Sequence, residues 1–350
     1  MSLSSIIHDQ KEIRNGLRAR VVKPPIRFDA IKAAPLTTNY QIVGTAFDYL
    51  LRFFLERVNS VAQTTRWVAE SGVEVIGESA YVYDLDHSTL SQKPDRQRRK
   101  ADTYLTAAKH EHQTYLKTGL VTNKLLVAAL RLAYIDGAYR GGPNRVDWVH
   151  LESPDAKDVA DLRGLLALVK ESSFRATRTC LLNPTFGAAS RLVGGADADL
   201  LLDDCLIDIK TTKNPHLDNR DFLQLIGYYL LHGFDGIHSD DSKTTAREVN
   251  SLAIYFSRYG YLWKVAVEDI LPPGSVPDTA KWFFESVCTS KSQRLKYLHG
   301  FRGPLAEHLG DQKQRAKKTL KPLSASKERG KKMMSSPRLQ TAASKNGVRR

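Results

Sequence analysis

A chain of 350 residues that is 42% hydrophobic and 9% aromatic can bury a real core, which excludes a wholly disordered protein and favours one large domain. Three widely spaced cysteines exclude a four-thiolate zinc site or iron–sulfur cluster built from one chain, so no iron–sulfur cluster is expected. The formal charge of +14 is concentrated at one end, because residues 313–350 hold thirteen Lys and Arg against the single acid Glu328, giving +12 there and +2 elsewhere.

The first ten residues lack a basic start followed by an apolar run, and no apolar stretch reaches the roughly 20 residues needed to span a bilayer. A cytoplasmic protein with no membrane partner is expected. Residues 11–20 form a basic amphipathic patch, and Pro24, Pro25 and Pro35 then break any long helix, so the first forty residues read as an arm over the core. Residues 40–59 have helix length and apolar side chains on nearly every side, the pattern of a buried helix. Asp48 lies in its apolar part and requires a partner: an arginine, a capping group or a metal. Residues 73–82 read as a β-like segment with Glu74 and Glu78 as spare acids, and residues 93–100 as a basic loop around Pro94.

Helical patterns recur between 102 and 139, where His110 and His112, two apart, would diverge and make a poor metal pair. A further helix is expected over 154–172, with Ser153 as its cap. The region 100–172 therefore reads as a helical insertion or cap. Residues 177–182 are β-prone, and 191–193 lead into two apolar runs joined by Asp203 and Asp204, which read as a β-hairpin.

Counting outward from that turn places Leu202 opposite Cys205, Leu200 opposite Ile207, Asp199 opposite Asp208, and Lys210 facing Asp197. One face then carries Leu200, Leu202, Cys205, Ile207 and Ile209; the other carries Asp197, Asp199, Leu201, Leu206, Asp208 and Lys210. Two carboxylates facing each other at about 5 Å repel and call for a cation. A hard divalent ion there would polarise a phosphodiester, with Lys210 orienting a water or neutralising developing charge. Downstream, Asp218 caps a helix over 219–231 that sets Gln224 and Tyr228 on one face with Asp221 above them. A second hairpin spans 251–256 and 261–267 across Arg258-Tyr259-Gly260, and 278–298 read as a closing helix. From 312 onward the composition predicts a disordered basic tail whose contact with nucleic acid weakens with salt.

Asp199, the strand Asp208-Ile209-Lys210-Thr211, and Gln224 with Tyr228 four residues on resemble the PD-(D/E)xK nuclease superfamily, and within it the RecB-like exonuclease domains. Residues 44–48 match a leading GlyxxxHis motif with Asp48 in place of the histidine. The resemblance implies an α/β, restriction-endonuclease-like core over 1–310, a central mixed β-sheet flanked by helices, followed by the tail at 311–350. It implies that Asp48, Asp199, Asp208 and the carbonyl of Ile209 hold Mg²⁺ or Mn²⁺, and that Lys210 serves catalysis with Asp199 and Asp208. Gln224 and Tyr228, with Asp197 and Thr211 beside the motif, would steady the site or the nucleic acid. The expected function is a metal-dependent DNase working on DNA ends or single strands, with RNA left open as a substrate; the alternative is a non-catalytic nucleic-acid-binding or scaffold protein that keeps the fold. No GxxxxGK(S/T) phosphate loop occurs, so any unwinding would need a helicase or other protein partner.

Overall fold

The apolar runs around Asp203 and Asp204 pair as counted, with Leu200 opposite Ile207 and Leu202 opposite Cys205. The computed structural model describes residues 2–82, 93–239, 248–272, 274–288 and 290–309, without the side chains of 79–82 and 93–95. The expected basic tail lies outside the described residues. Asp203 holds the turn at φ 52°, a left-handed conformation, and its carboxylate accepts the backbone N–H groups of Thr177, Arg178 and Thr179. An aspartate that bonds locally tolerates this conformation better than most side chains.

In chain order the first half runs α1 (Leu3–Asp9), α2 (Lys11–Arg18), α3 (Tyr40–Val58), β1 (Ala62–Thr64), α4 (Val68–Val82), α5 (Lys93–Thr118), α6 (Asn123–Gly141), α7 (Trp148–Glu152) and α8 (Ala156–Ala167). The second half runs β2 (Cys180–Leu182), α9 (Gly187–Leu192), β3 (Leu200–Leu202), β4 (Cys205–Lys210), α10 (Asn219–Asp235), β5 (Ser251–Phe256), β6 (Tyr261–Ala266), α11 (Val267–Ile270), α12 (Val276–Val287) and α13 (Lys291–Leu298). The six strands form one mixed sheet in sequence order. β1 is parallel to β2 and β4 to β5; the other neighbours are antiparallel.

Both faces of the central strands β2 to β5 are covered, because these strands carry apolar residues on either side. Leu182, Leu200, Leu202, Cys205, Ile207 and Tyr255 share a core with α3, α4, α5, α6 and α8. The segment read as an insertion or cap is thus part of a helical layer on the sheet. Leu181, Leu201, Leu206, Leu252, Ile254 and Phe256 share the second core with α1, α2, α9, α10 and α12. The basic arm packs over that face through Leu3, Ile6, Ile13 and Leu17, all buried. Cys180, Cys205 and Cys288 are free, buried core residues.

Several local expectations are corrected. Residues 73–82 belong to helix α4, where Ala69, Val73 and Ile76 are buried at helical spacing. Gly72 lets α4 approach α6 closely: a Cβ there would lie 2.3 Å from the Ile135 carbonyl oxygen. The basic stretch from Lys93 opens α5, since proline in a first turn lacks only an N–H that has no helical partner. Asp155, not Ser153, caps α8 by accepting the Lys157 N–H. Residues 187–192 are helical, and the closing helix is two, with Ser290 capping the second. His112 is buried against the Phe53 ring at 4.2 Å and meets Glu56 at 3.1 Å, while His110 is exposed, so the two do diverge.

Candidate active site

Three separate stretches bring acids to one place. α3 carries Asp48 on a helix whose start is fixed by the Asn39 amide, which donates to the Tyr134 hydroxyl at 3.0 Å and to Asp158 at 2.9 Å. Asp199 stands just before β3, and Asp208 lies within β4 at the position paired with Ile254. All three line a cleft of about 1140 Å³, and so do Asp197, Ile209, Lys210, Thr211, Gln224 and Tyr228. Every residue singled out from the sequence for this site therefore reaches the same cleft.

The contacts within it differ from the simple hairpin count. Asp199 does sit beside the Asp208 position, and its Oδ2 accepts the Ile209 N–H at 2.5 Å. Lys210 does not face Asp197. Its Nζ lies 2.9 Å from Asp208 Oδ2, an ion pair without hydrogen-bond alignment, and 3.6 Å from Asp221 Oδ1. The Lys210 ammonium also donates to Gln224 Oε1 at 3.2 Å, and Gln224 Nε2 donates to the Tyr228 hydroxyl at 2.6 Å. Tyr228 in turn stacks on Phe186 at 5.5 Å. The four-residue spacing of Gln224 and Tyr228 thus builds a relay that positions the lysine. Asp197 is exposed on the cleft wall, because β3 begins only at Leu200 and Asp197 instead bridges Thr185. The Ser257 hydroxyl bonds Thr211 Oγ1 at 3.0 Å.

Electrostatics set the character of this floor. Burial, and then the charges of Asp208 and Asp48, push the Asp199 carboxyl well above the usual carboxylate range. Burial also raises Asp208 against the opposing pull of Lys210, and Asp48 against that of Arg52 and Arg140. Burial alone would depress the Lys210 ammonium, but Asp208, Asp221 and Asp199 outweigh it and hold its pKa above the ordinary lysine value. In the metal-free protein Lys210 is therefore held as a cation, and these three acids oppose the loss of its proton. Arg52 donates to Asp48 Oδ2 at 2.5 Å from a buried position, leaving Asp48 Oδ1 buried with no hydrogen-bond partner. Among the described residues, no three His, Cys, Asp or Glu side chains close into a ready-made metal cage. The charged residues missed from the sequence are Arg52, Asp136 and Arg140, together with the contact from Asp221 to Lys210. The i,i+4 spacing of Arg52 from Asp48 was the readable signal for the first of these.

The crowding of acids predicts a stability response. Asp199→Asn stabilises the metal-free protein by about 1 kcal/mol at neutral pH, because the amide oxygen can still accept the Ile209 N–H while one of three repelling charges is removed. The folded carboxyl titrates above its unfolded value of roughly 3.9, so the folded state holds more protons in that interval and stability falls as pH rises through it. The gain from Asp199→Asn is consequently largest above the raised folded pKa and fades on acidification toward about pH 4. Thermal melts in EDTA at several pH values measure this; a variant less stable than wild type at neutral pH contradicts it.

In comparisons with known proteins, this chain matches no family model, no curated protein and no solved structure.

Proposed function

We propose that this chain is a divalent-metal-dependent deoxyribonuclease of the PD-(D/E)xK, RecB-like kind, with a restriction-endonuclease-like core, acting on DNA ends or single strands. The observation that carries the reading is the meeting of Asp48, Asp199, Asp208 and Lys210 in one cleft, with Gln224 and Tyr228 behind the lysine. The donor set suits a hard ion: three mutually repelling carboxylates and the orphaned Oδ1 of Asp48. Asp48, Asp199, Asp208 and the Ile209 carbonyl would hold Mg²⁺ or Mn²⁺, which when bound polarises a phosphodiester and lowers the pKa of a coordinated water.

The chain's own residues supply the rest. Lys210 presents a positive charge where negative charge grows on the phosphoryl oxygens, and its contacts hold it there before substrate arrives, so little reorganisation is needed. Gln224 and Tyr228 keep the ammonium in place. Arg52 fixes one oxygen of Asp48 and leaves the other available.

The second reading, a non-catalytic nucleic-acid-binding or scaffold protein, draws on the same ion pairs, since Arg52 and Lys210 already offset Asp48 and Asp208. Linear and circular DNA, single- and double-stranded, incubated with Mg²⁺, Mn²⁺ or EDTA, separate the two. Cutting that requires the ion and vanishes in Asp208→Asn supports the nuclease, and survival of the circles makes it an exonuclease. Salt-sensitive binding without cutting under either ion favours the scaffold.

A further inference from the structure

We infer that Tyr139 and Arg140, at the C-terminal end of α6, are a nucleotide-binding pair on the rim of the cleft that selects single-stranded DNA, with a phosphate on Arg140 and an unstacked base on Tyr139. The inference rests on the nuclease reading for its substrate class. Both residues line the cleft that holds Asp48, Asp199, Asp208 and Lys210.

Arg140 is anchored from behind. Its Nε donates to Oδ1 of Asp136, which is only 1% exposed, and the Tyr49 hydroxyl donates to the other carboxylate oxygen at 3.3 Å. The Ala69 N–H donates to that hydroxyl at 3.0 Å, so the chain of bonds ends in helix backbone. Only the inner nitrogen of the guanidinium is used. The terminal nitrogens make no hydrogen bond among the described residues, and the side chain is 56% exposed. A guanidinium fixed by its inner edge, with its outer edge free beside a polar cleft, is set to meet two oxygens of a phosphate at small entropic cost.

Tyr139, the preceding residue, is 57% exposed and has no ring contact or hydrogen bond among the described residues. It contributes nothing to the adjoining core. A bare aromatic beside an anchored arginine offers a face for a base, and stacking of this kind is worth about 1–3 kcal/mol per base. Bases inside a duplex already stack on their neighbours, so the tyrosine rewards single strands only.

The test uses the full chain in EDTA and a single-stranded oligonucleotide of about 12 nucleotides containing 2-aminopurine, so that stacking is read by fluorescence and cleavage does not enter. Wild type should quench the probe; Tyr139→Ala should lose the quench and about tenfold in single-strand affinity, with duplex affinity changed less than about twofold, while Tyr139→Trp keeps both. Arg140→Gln should weaken binding and reduce the slope of log affinity against log salt by about one phosphate contact. Should Arg140→Gln fail to fold, because it strands Asp136, the exposed Tyr139 decides alone. An unchanged quench in Tyr139→Ala, or an equal loss of duplex affinity, overturns the inference. Failure to cut with Mg²⁺ or Mn²⁺ while the quench and strand selectivity persist would sink the nuclease reading and leave this pair standing.

Discussion

Replacing Lys210 by Met is expected to lower the rate of DNA cleavage at saturating substrate by about 10²–10³-fold, the usual cost of removing a preorganised group that stabilises transition-state charge. The effect belongs on kcat rather than on DNA affinity, because one partly buried ammonium beneath the phosphate adds little to the contacts that hold the strand. Lys210 has three polar partners at the end of β4, Asp208, Asp221 and Gln224, and Tyr228 holds Gln224 from behind. Each constrains where the charge sits. Gln224→Met should therefore reproduce part of the loss by letting the ammonium wander, with Lys210 itself intact. Single-turnover cleavage with wild type, Lys210→Met and Gln224→Met checks both statements. Wild-type rates in Lys210→Met would place the chemistry elsewhere on the molecule.

The hairpin was legible because strand alternation and a turn signal act over a few residues. Leu200 opposite Ile207 follows from counting alone, and so does the separation of the acids from the apolar face. The count failed where the ladder stops. β3 has only three residues, so Asp197 falls outside the pairing and Lys210 finds its partners on its own strand, at Asp208, and on α10 rather than across the hairpin. Residues 73–82 misled for a different reason: their valines suit a strand as well as a helix, and only the burial of Ala69, Val73 and Ile76 against α6 decides between them. Asp48 shows the limit of local reading most clearly. Its need for a partner was evident, and Arg52 one turn away was within reach, but the approach of Asp199 and Asp208 from the sheet is a long-range result of packing α3 on β-strands distant in sequence.

Arg258 carries the second large prediction: Arg258→Met should destabilise the fold by about 3–5 kcal/mol, and Asp161→Leu by a similar amount. The arginine lies in the connection between β5 and β6, where a turn residue would ordinarily meet solvent, yet it is fully buried. Its two terminal nitrogens donate to the two oxygens of Asp161 on α8 at 2.8 and 3.0 Å, and one also donates to the Ala33 carbonyl at 3.2 Å. The Arg258 carbonyl accepts the N–H groups of Lys32 and Ala33, each at 3.0 Å. One residue thus ties the sheet, α8 and the segment leading into α3 together, and α3 carries Asp48. Either single change leaves a full charge buried without its partner, which is far more costly than the pair is beneficial. The double variant Arg258→Met/Asp161→Leu removes both charges and fills the space with apolar atoms, so it should recover most of the lost stability. Urea denaturation of the four proteins completes the cycle and gives the coupling directly. Additive losses in the double variant would mean that the backbone bonds of residue 258, and not the ion pair, hold the three elements in register.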